Sequence, residues 1–588
     1  MSVSGAANRS FLSAGRWLPP AIILAASLIL SSPLFRGGLP YAHDTEEHLE
    51  RYICFADQLS HGELYPRWLA NANGGLGSPV MFVYAPLAYY VPAALRPVLH
   101  FRMDGSKESR EVAVSMWLAL AASGLAALLW LKSFVNRVAV AVFGALLYMV
   151  LPYHFVIDLY TRAAVSEMWA FAWMPLILYF GVMVARSRTF FAMAGFIVSY
   201  ALLVFTHLLT TLIFTPVAIG VALLFLESGR RRAALTRLAL SLALAIGLSA
   251  AYLAPALQHE KDVSPDRLAQ FRPTLSYPRN FVALRRDWTD PTARGDYVWK
   301  VSWITICTAA AAAAAFALKR LSPGKETAPD RFWGLVAVGG TVMMFPISKV
   351  VWDAIPQLAA LQFPYRFNML LSMATTALIA SAIDSLTRPL RWWRIALAAG
   401  IAGVIALWAV TDLKTVMQLR PGKLRSEPLM AATPLVLDVL LPGWSKANDP
   451  RFLKPAGILE LSQHATVSGA ALKKASLDRP GAREIELTED GAQGWVTLPL
   501  LFYPAWMAQS ENGSKLNMRA VPDSGLAEVA VPAGVHRLQL TLPLGPTEKL
   551  GIVSTAVSAL LTVMLLAGGW WDRRRKNRSE DRRIAAIA

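Results

Sequence analysis

Charged residues are scarce in this chain: Asp, Glu, Lys and Arg make up 16% of 588 residues, against 55% hydrophobic ones. A soluble globular chain carries nearer a quarter charged residues, so an ordinary water-soluble enzyme is a poor fit. Cysteine is scarcer still. Cys54 lies in a polar loop and Cys307 in an apolar block, without metal-ligand spacing, and no disulfide between them is expected. The 9 histidines form no clustered triad, and His43 and His48 are five apart, which excludes the His-Glu-x-x-His zinc pattern. Gly74, Gly75 and Gly77 lack the lysine and the strand–helix context of a phosphate loop. A small-residue cleavage site is also missing after the apolar stretch 17–35, where Arg36-Gly-Gly follows, so this stretch reads as a retained first span.

Long apolar runs are abundant. A bilayer core about 30 Å thick takes roughly 20 apolar residues as a helix. Such runs lie near 17–35, 112–131, 138–157, 168–185, 190–205, 208–226, 238–257, 301–318, 332–347, 367–383, 395–410 and 550–571. A further block, 79–99, holds Pro79, Pro86, Pro92 and Pro97 with Tyr84, Tyr89 and Tyr90. Prolines this frequent break a straight helix and aromatics suit an interface, so this block is expected as short interfacial or re-entrant helices. With that choice, Arg9, Arg16, Lys132, Arg137, Arg186, Arg188, the triplet Arg230, Arg231 and Arg232, Lys319, Arg320, Arg388, Arg394 and the basic tail after Trp571 all fall on one side. The positive-inside rule then predicts about 12 spans with both termini cytoplasmic. The same rule accounts for the formal charge of +18 without nucleic acid as a partner.

Four notable segments fall outside: the loop 36–111, the turn 158–167, the loop 258–300 and the long polar stretch 411–549. The last reads as β. Residues 483–488, 526–531 and 535–542 alternate polar and apolar, with turn residues at 511–514 and 532–534 between them. The expected architecture is therefore a membrane domain over 1–410, an extracytoplasmic β-sandwich over 411–549, a last span at 550–571 and a basic cytoplasmic tail at 572–588.

Candidate chemistry gathers in the outside loops. On a helix, Asp44, Glu47, His48 and Arg51 share one face just beyond the first span. A carboxylate there could act as a general base on an acceptor hydroxyl, or the face could be a solvated amphipathic surface paired with Arg51, the commoner fate of a charge run. In the second outside turn, Arg162 and Glu167 are candidates, whereas Asp158 reads as a helix-end anchor. His207 stands at a later outside turn, where capping is the ordinary role. Arg366 precedes a span and could anchor it at the headgroups or hold a phosphate through its guanidinium fork. Tyr503 and Trp506 could bind a glycan or fill the core of the β region, the commoner outcome.

The chain as a whole resembles a known family. The stretches are His43-Asp44 with His48, Tyr65-Pro66-Arg67-Trp68, Gly77 and Pro79 ahead of Tyr84 and Pro86, Arg162 with Glu167, and Gln362-Phe363-Pro364-Tyr365-Arg366. They are similar to bacterial membrane proteins described as 6-pyruvoyl-tetrahydropterin synthase-related and, more widely, to the GT-C superfamily of membrane glycosyltransferases. Pterin chemistry itself is not expected, because the zinc-binding histidine set of the soluble synthases is missing. The GT-C resemblance implies a GT-C-like polytopic α-helical fold in the bacterial cytoplasmic membrane. It implies transfer of a sugar from a polyprenyl-phosphate carrier to a glycan, lipid or protein acceptor on the extracytoplasmic side. It also implies Asp44 as the catalytic base, Glu167 as a second acidic position, and Arg67, Arg162 and Arg366 on the lipid phosphate. His48, Arg51 and His207 would line the substrate. Asp44 is followed by Glu46 and Glu47 rather than forming an acidic pair. No cofactor is expected, with a divalent cation an optional addition. The competing class is non-enzymatic: a lipid-linked-sugar transporter, or an envelope-assembly or glycan-binding membrane protein.

Overall fold

The structure, a computed structural model, describes residues 4–40, 42–99, 107–186, 189–226, 228–260, 276–285, 294–321, 326–385, 472–479, 482–487, 494–521 and 525–587. Most of these residues are helical, with a sheet region near the C-terminus. Among the described residues, six helices are long and apolar enough to cross a membrane, within Lys107–Leu131, Val138–Thr161, Val165–Arg186, Tyr297–Arg320, Pro364–Asp384 and Pro546–Trp571. Two bent pairs raise the count to 8 if each is one span: Arg231–Leu248 with Ala250–His259, bent by 72°, and Ala328–Met343 with Pro346–Ala354, bent by 87°. Trp17–Leu30, Phe190–Thr206 and Leu208–Leu224 are shorter apolar helices. The run expected at 395–410 lies outside the described residues.

Burial separates interior helices from rim helices. The windows within Val138–Thr161 and Pro364–Asp384 are each 83% buried, whereas that of Pro546–Trp571 is 17% buried. The last helix exposes Leu550, Val553, Val557 and Leu560, the side-chain type that lipid rather than water accommodates. It docks through small residues. A Cβ on Gly551 would stand 2.5 Å from the Ala250 carbonyl oxygen, and one on Gly247 would stand 2.3 Å from the Ser558 hydroxyl. Glycine at these two crossings lets the helix backbones approach closely.

Two expected spans are not straight. The run 238–257 turns at Ser249, and the run 332–347 ends at Met343 before Phe345 and Pro346 take a new direction. Proline in the first turn of the new helix costs no hydrogen bond there, while its ring forbids continuation of the old one. The Pro-rich block 79–99 contains only a short turn, Val80–Phe82, and the helix Leu87–Leu95. The first-loop helix, Thr45–Ser60, lies ahead of it.

The C-terminal region contains strands β1 (Leu472–Arg479), β2 (Ala482–Leu487), β3 (Gly494–Leu501), β4 (Met507–Ser510), β5 (Lys515–Leu516), β6 (Met518–Ala520), β7 (Leu526–Val531) and β8 (Arg537–Thr541). They form two sheets, in the orders β1-β2-β8-β4-β5 and β3-β7-β6, with every pairing antiparallel. Register places Ile485 opposite Leu538 in one sheet and Val496 opposite Val529 in the other. These side chains are buried in one apolar cluster with Trp68, Leu76 and Phe82 of the first loop. Tyr503 and Trp506 are buried in the same cluster, beside Trp68, so in this structure they fill core. Residues 411–471 of the expected β domain lie outside the described residues.

Candidate active site

Three chain segments meet beyond the ends of the buried helices. The first is the start of the helix Thr45–Ser60, for which Asp44 is the N-cap residue. The second follows a π-helical turn, Tyr153–Thr161, that continues the helix Val138–Val150 past Pro152. The third is the turn Pro364–Phe367 ahead of the helix Asn368–Asp384. Backbone pairing joins the first two: the His43 N–H donates to the Thr161 carbonyl at 3.2 Å, and the Asp44 N–H donates to the Arg162 carbonyl at 2.9 Å.

Arg162 is the hub. Its Nη1 donates to Asp158 Oδ1 at 3.0 Å and to Glu167 Oε1 at 2.9 Å, while Nη2 donates to Asp44 Oδ2 at 3.0 Å. Arg366 closes the network: Nε donates to Glu167 Oε1 at 3.0 Å and Nη1 to the Leu361 carbonyl at 2.8 Å. Tyr153 adds a hydroxyl donor to Glu167 Oε2 at 3.2 Å. Three carboxylates thus face two guanidiniums, two of the three shielded from water. Side-chain exposure is 0% for Asp158, 2% for Glu167 and 6% for Arg162, but 29% for Asp44. Desolvating such charges is tolerable only when each is paired, and removing one partner strands the others.

The packing has incomplete places. Asp158 Oδ2 is buried without a hydrogen-bond partner among the described residues. The π-helical turn itself is a rare element that recurs at functional sites. Ala163, next to Arg162, has φ of 54°, and Gln362, in the turn leading to Arg366, has φ of 60°. Residues with a Cβ occupy this left-handed region at a cost in strain, which here is held beside both arginines of the network.

The first-loop helix supplies the adjoining wall. His48 is buried, with Nδ1 3.0 Å from the Tyr89 hydroxyl. Burial pulls its imidazole down to about 4, against the opposing pull of the Asp44 carboxylate, so it is neutral at pH 7. Arg51 pairs with Glu47 one turn back and lies over the Tyr84 ring at 4.5 Å, and Tyr84 in turn reaches the Ser166 hydroxyl at 3.3 Å. Glu50, on the same helix, is also buried, and burial pushes its carboxyl up to about 7 despite the Asn73 N–H and the Arg51 charge.

Of the residues singled out in the sequence, Asp44, Arg162, Glu167 and Arg366 form one network, with His48 and Arg51 beside it. His207 caps the helix Leu208–Leu224, its Nδ1 accepting from the Thr210 N–H at 3.2 Å, and it feels the charges of Glu167, Arg366 and Arg162. Arg67 is not among them. It forms a salt bridge with Glu548 and donates to the Leu542 carbonyl at 2.8 Å, tying the first loop to the start of the last helix. Asp158 is in the network rather than merely at a helix end. The signal for it was its spacing of four residues from Arg162, which a π-helical turn still brings within bonding reach.

Among the described residues, no group of three or more His, Cys, Asp or Glu side chains is placed to hold a metal ion. No curated protein matches the chain. Among solved structures, the arabinofuranosyltransferase AftD from mycobacteria aligns at 14% identity with a TM-score of 0.45, covering 68% of this chain and 27% of its own. A mutant of the same enzyme aligns at 15% identity with the same TM-score, covering 68% of this chain and 28% of its own. A family described as the 6-pyruvoyl-tetrahydropterin synthase related domain, a membrane protein, matches residues 82–416. That match takes in Arg162, Glu167, His207 and Arg366 and more than half of the chain, and the protein therefore belongs to the 6-pyruvoyl-tetrahydropterin synthase-related family of membrane proteins.

Proposed function

We propose that the chain is a GT-C-type membrane glycosyltransferase. It moves a hexosyl or pentosyl unit from polyprenyl phosphate to an envelope glycan, lipid or protein acceptor outside the bacterial cytoplasmic membrane. The observation that carries this reading is the asymmetry around Arg162: of its three carboxylate partners, only Asp44 keeps substantial exposure. A base must reach an incoming hydroxyl, and a buried carboxylate locked between arginines cannot do so.

In this reading Asp44 accepts the proton of the acceptor hydroxyl as its oxygen bonds to the anomeric carbon. The bond from that carbon to the phosphate oxygen breaks, and the electron pair leaves with the phosphate. Arg162 and Arg366 stabilise the charge that develops on it, which is the work of preorganised donors in a site closed to water. Glu167 holds both arginines in place rather than touching the acceptor. His48 and His207 are neutral polar lining, and Arg51 lies beside them. Arg67 serves the junction between the first loop and the last helix instead of the phosphate. The reading places the network on the extracytoplasmic face, with about 12 spans, both termini cytoplasmic and the sheet region outside. It requires no metal.

The test is transfer by purified protein in lipid nanodiscs, offered a panel of polyprenyl-phosphate sugars and envelope acceptors. The expected result is a glycosylated product whose formation is unaffected by a chelator and is lost in Asp44→Asn. The buried charges at the ends of apolar helices are also what a lipid-linked-sugar transporter would carry. Movement of labelled carrier across the bilayer without any product would favour that second reading.

A further inference from the structure

The segment from Pro346 to Ala354 has three distinct faces. It leaves the helix Ala328–Met343 at 87°, nearly at right angles to it. Ile347, Val350, Val351 and Ile355, spaced three, four and eight residues from the first, are exposed, Ile347 by 79% and Val350 by 70%. Lys349 and Asp353 lie on the other side, one turn apart, with Nζ 2.7 Å from Oδ2, and both are about half exposed. Ser348 and Trp352, also one turn apart, point into the protein and are buried.

The buried face locks the bend. Trp352 Nε1 and the Ser348 hydroxyl both donate to the Met343 carbonyl, each at 3.1 Å, satisfying an acceptor at the end of the helix Ala328–Met343. The Trp352 ring stacks on Tyr277 at 5.2 Å and meets Phe367 at 6.1 Å, next to Arg366. The Tyr277 hydroxyl donates to Asp353.

The exposed face has a continuation. On the upright helix, Leu335, Val338 and Val342 are exposed at spacings of three and four. An exposed apolar stripe of this kind suits lipid rather than water, and the apolar face of 346–355 follows directly after the corner. A helix with an apolar face opposite a charged one settles in the plane of the interface, apolar side toward the acyl chains.

We propose that residues 346–355 form an interfacial anchor lying flat on the lipid surface. The partner is the bilayer itself, and through Trp352 and Phe367 the anchor fixes the turn bearing Arg366 at headgroup depth. The anchoring does not depend on the glycosyltransferase reading, since it concerns only how this segment meets lipid.

Spin-label accessibility in nanodiscs tests it. Single cysteines are placed at Val350→Cys, Lys349→Cys and, as a lipid-facing reference in the upright helix, Leu335→Cys, in the full chain with Cys54→Ser and Cys307→Ser. Nitroxide labels are then read against lipid-soluble oxygen and a water-soluble nickel chelate. The expected oxygen-to-nickel ratio at 350 matches that at 335 and stands several-fold above that at 349. A label at 350 as open to nickel as the one at 349 overturns the proposal. So does a label at 350 shielded from both reagents, which would mean that protein covers this face. The three labelled sites are exposed but Cys54 is buried, so the cysteine-free chain is first required to show a native-like thermal transition.

Discussion

The two ends of the same pair of helices use the same residue types in opposite ways. At one end of Val138–Val150 and of Asn368–Asp384, Asp384 accepts from the backbone N–H groups of Asn136 and Arg137 at 3.0 and 3.1 Å and pairs with the Arg137 side chain at 3.2 Å. That arginine is half exposed, and the carboxylate completes the start of a neighbouring helix whose first N–H groups have no partners of their own. At the other end, Arg162 and Arg366 pair with Asp44, Asp158 and Glu167, the last two almost fully buried, one carboxylate oxygen has no hydrogen-bond partner among the described residues, and two residues hold strained backbone conformations. The first arrangement satisfies what folding leaves open. The second keeps most of its charge out of water and leaves one group, Asp44, partly exposed.

The contrast can be broken most directly at its hub. Arg162→Met leaves Asp158 and Glu167 buried with one guanidinium fewer and is expected to cost about 3–5 kcal/mol of stability. Thermal unfolding in detergent measures this, and a loss below about 1 kcal/mol would mean the network is far better hydrated than its burial indicates.

The pH dependence sharpens the comparison from the first-loop side. His48 is held at about 4 in the folded chain against an ordinary 6.5. Its contribution to stability is therefore whole above pH 6.5 and is lost as the pH falls toward about 4. Glu50 has the opposite sign: raised from 4.5 to about 7, it contributes fully below pH 4.5 and loses that contribution as the pH rises to about 7. His48→Gln is expected to flatten the acid side of a plot of unfolding temperature against pH. Glu50→Gln is expected to flatten the side between pH 4.5 and 7 and to be at least as stable as wild type at pH 8. Unchanged slopes in both variants would show that neither group titrates in the folded chain as its burial requires.

The smallest effect is expected at the opposite end. Asp384→Ala removes a helix-capping acceptor and should cost about 0.5–2 kcal/mol, with transfer activity unchanged. An activity loss as large as that of a network variant would erase the distinction between the two ends.

Much of this was legible in the sequence, for physical reasons. Apolar runs separated by basic loops mark helices because lipid enforces internally satisfied backbone, and helices lie at the described runs. Alternation over 526–531 and 535–542 marks strands because one face is buried, and β7 and β8 are there. Arg162, Glu167, Arg366 and Asp44 stood out as ionisable residues at the ends of apolar runs. What stayed hidden depends on long-range geometry. Arg67 and Glu548 are 481 residues apart, and no local pattern reveals that they pair. Asp158 looked like an anchor because hydropathy does not reveal a π-helical turn or full burial. The corner after Met343 was signalled only by Pro346, and the hydrogen bonds of Trp352 and Ser348 to the Met343 carbonyl are side-chain contacts that no local pattern displays.

The most direct measurement compares lipid-linked and envelope glycans in cells lacking this chain, complemented with wild type or Asp44→Asn at equal membrane levels. The account predicts that wild type restores a sugar modification and that Asp44→Asn reduces it by about 100-fold or more, the span of a lost general base. Full restoration by Asp44→Asn would contradict it.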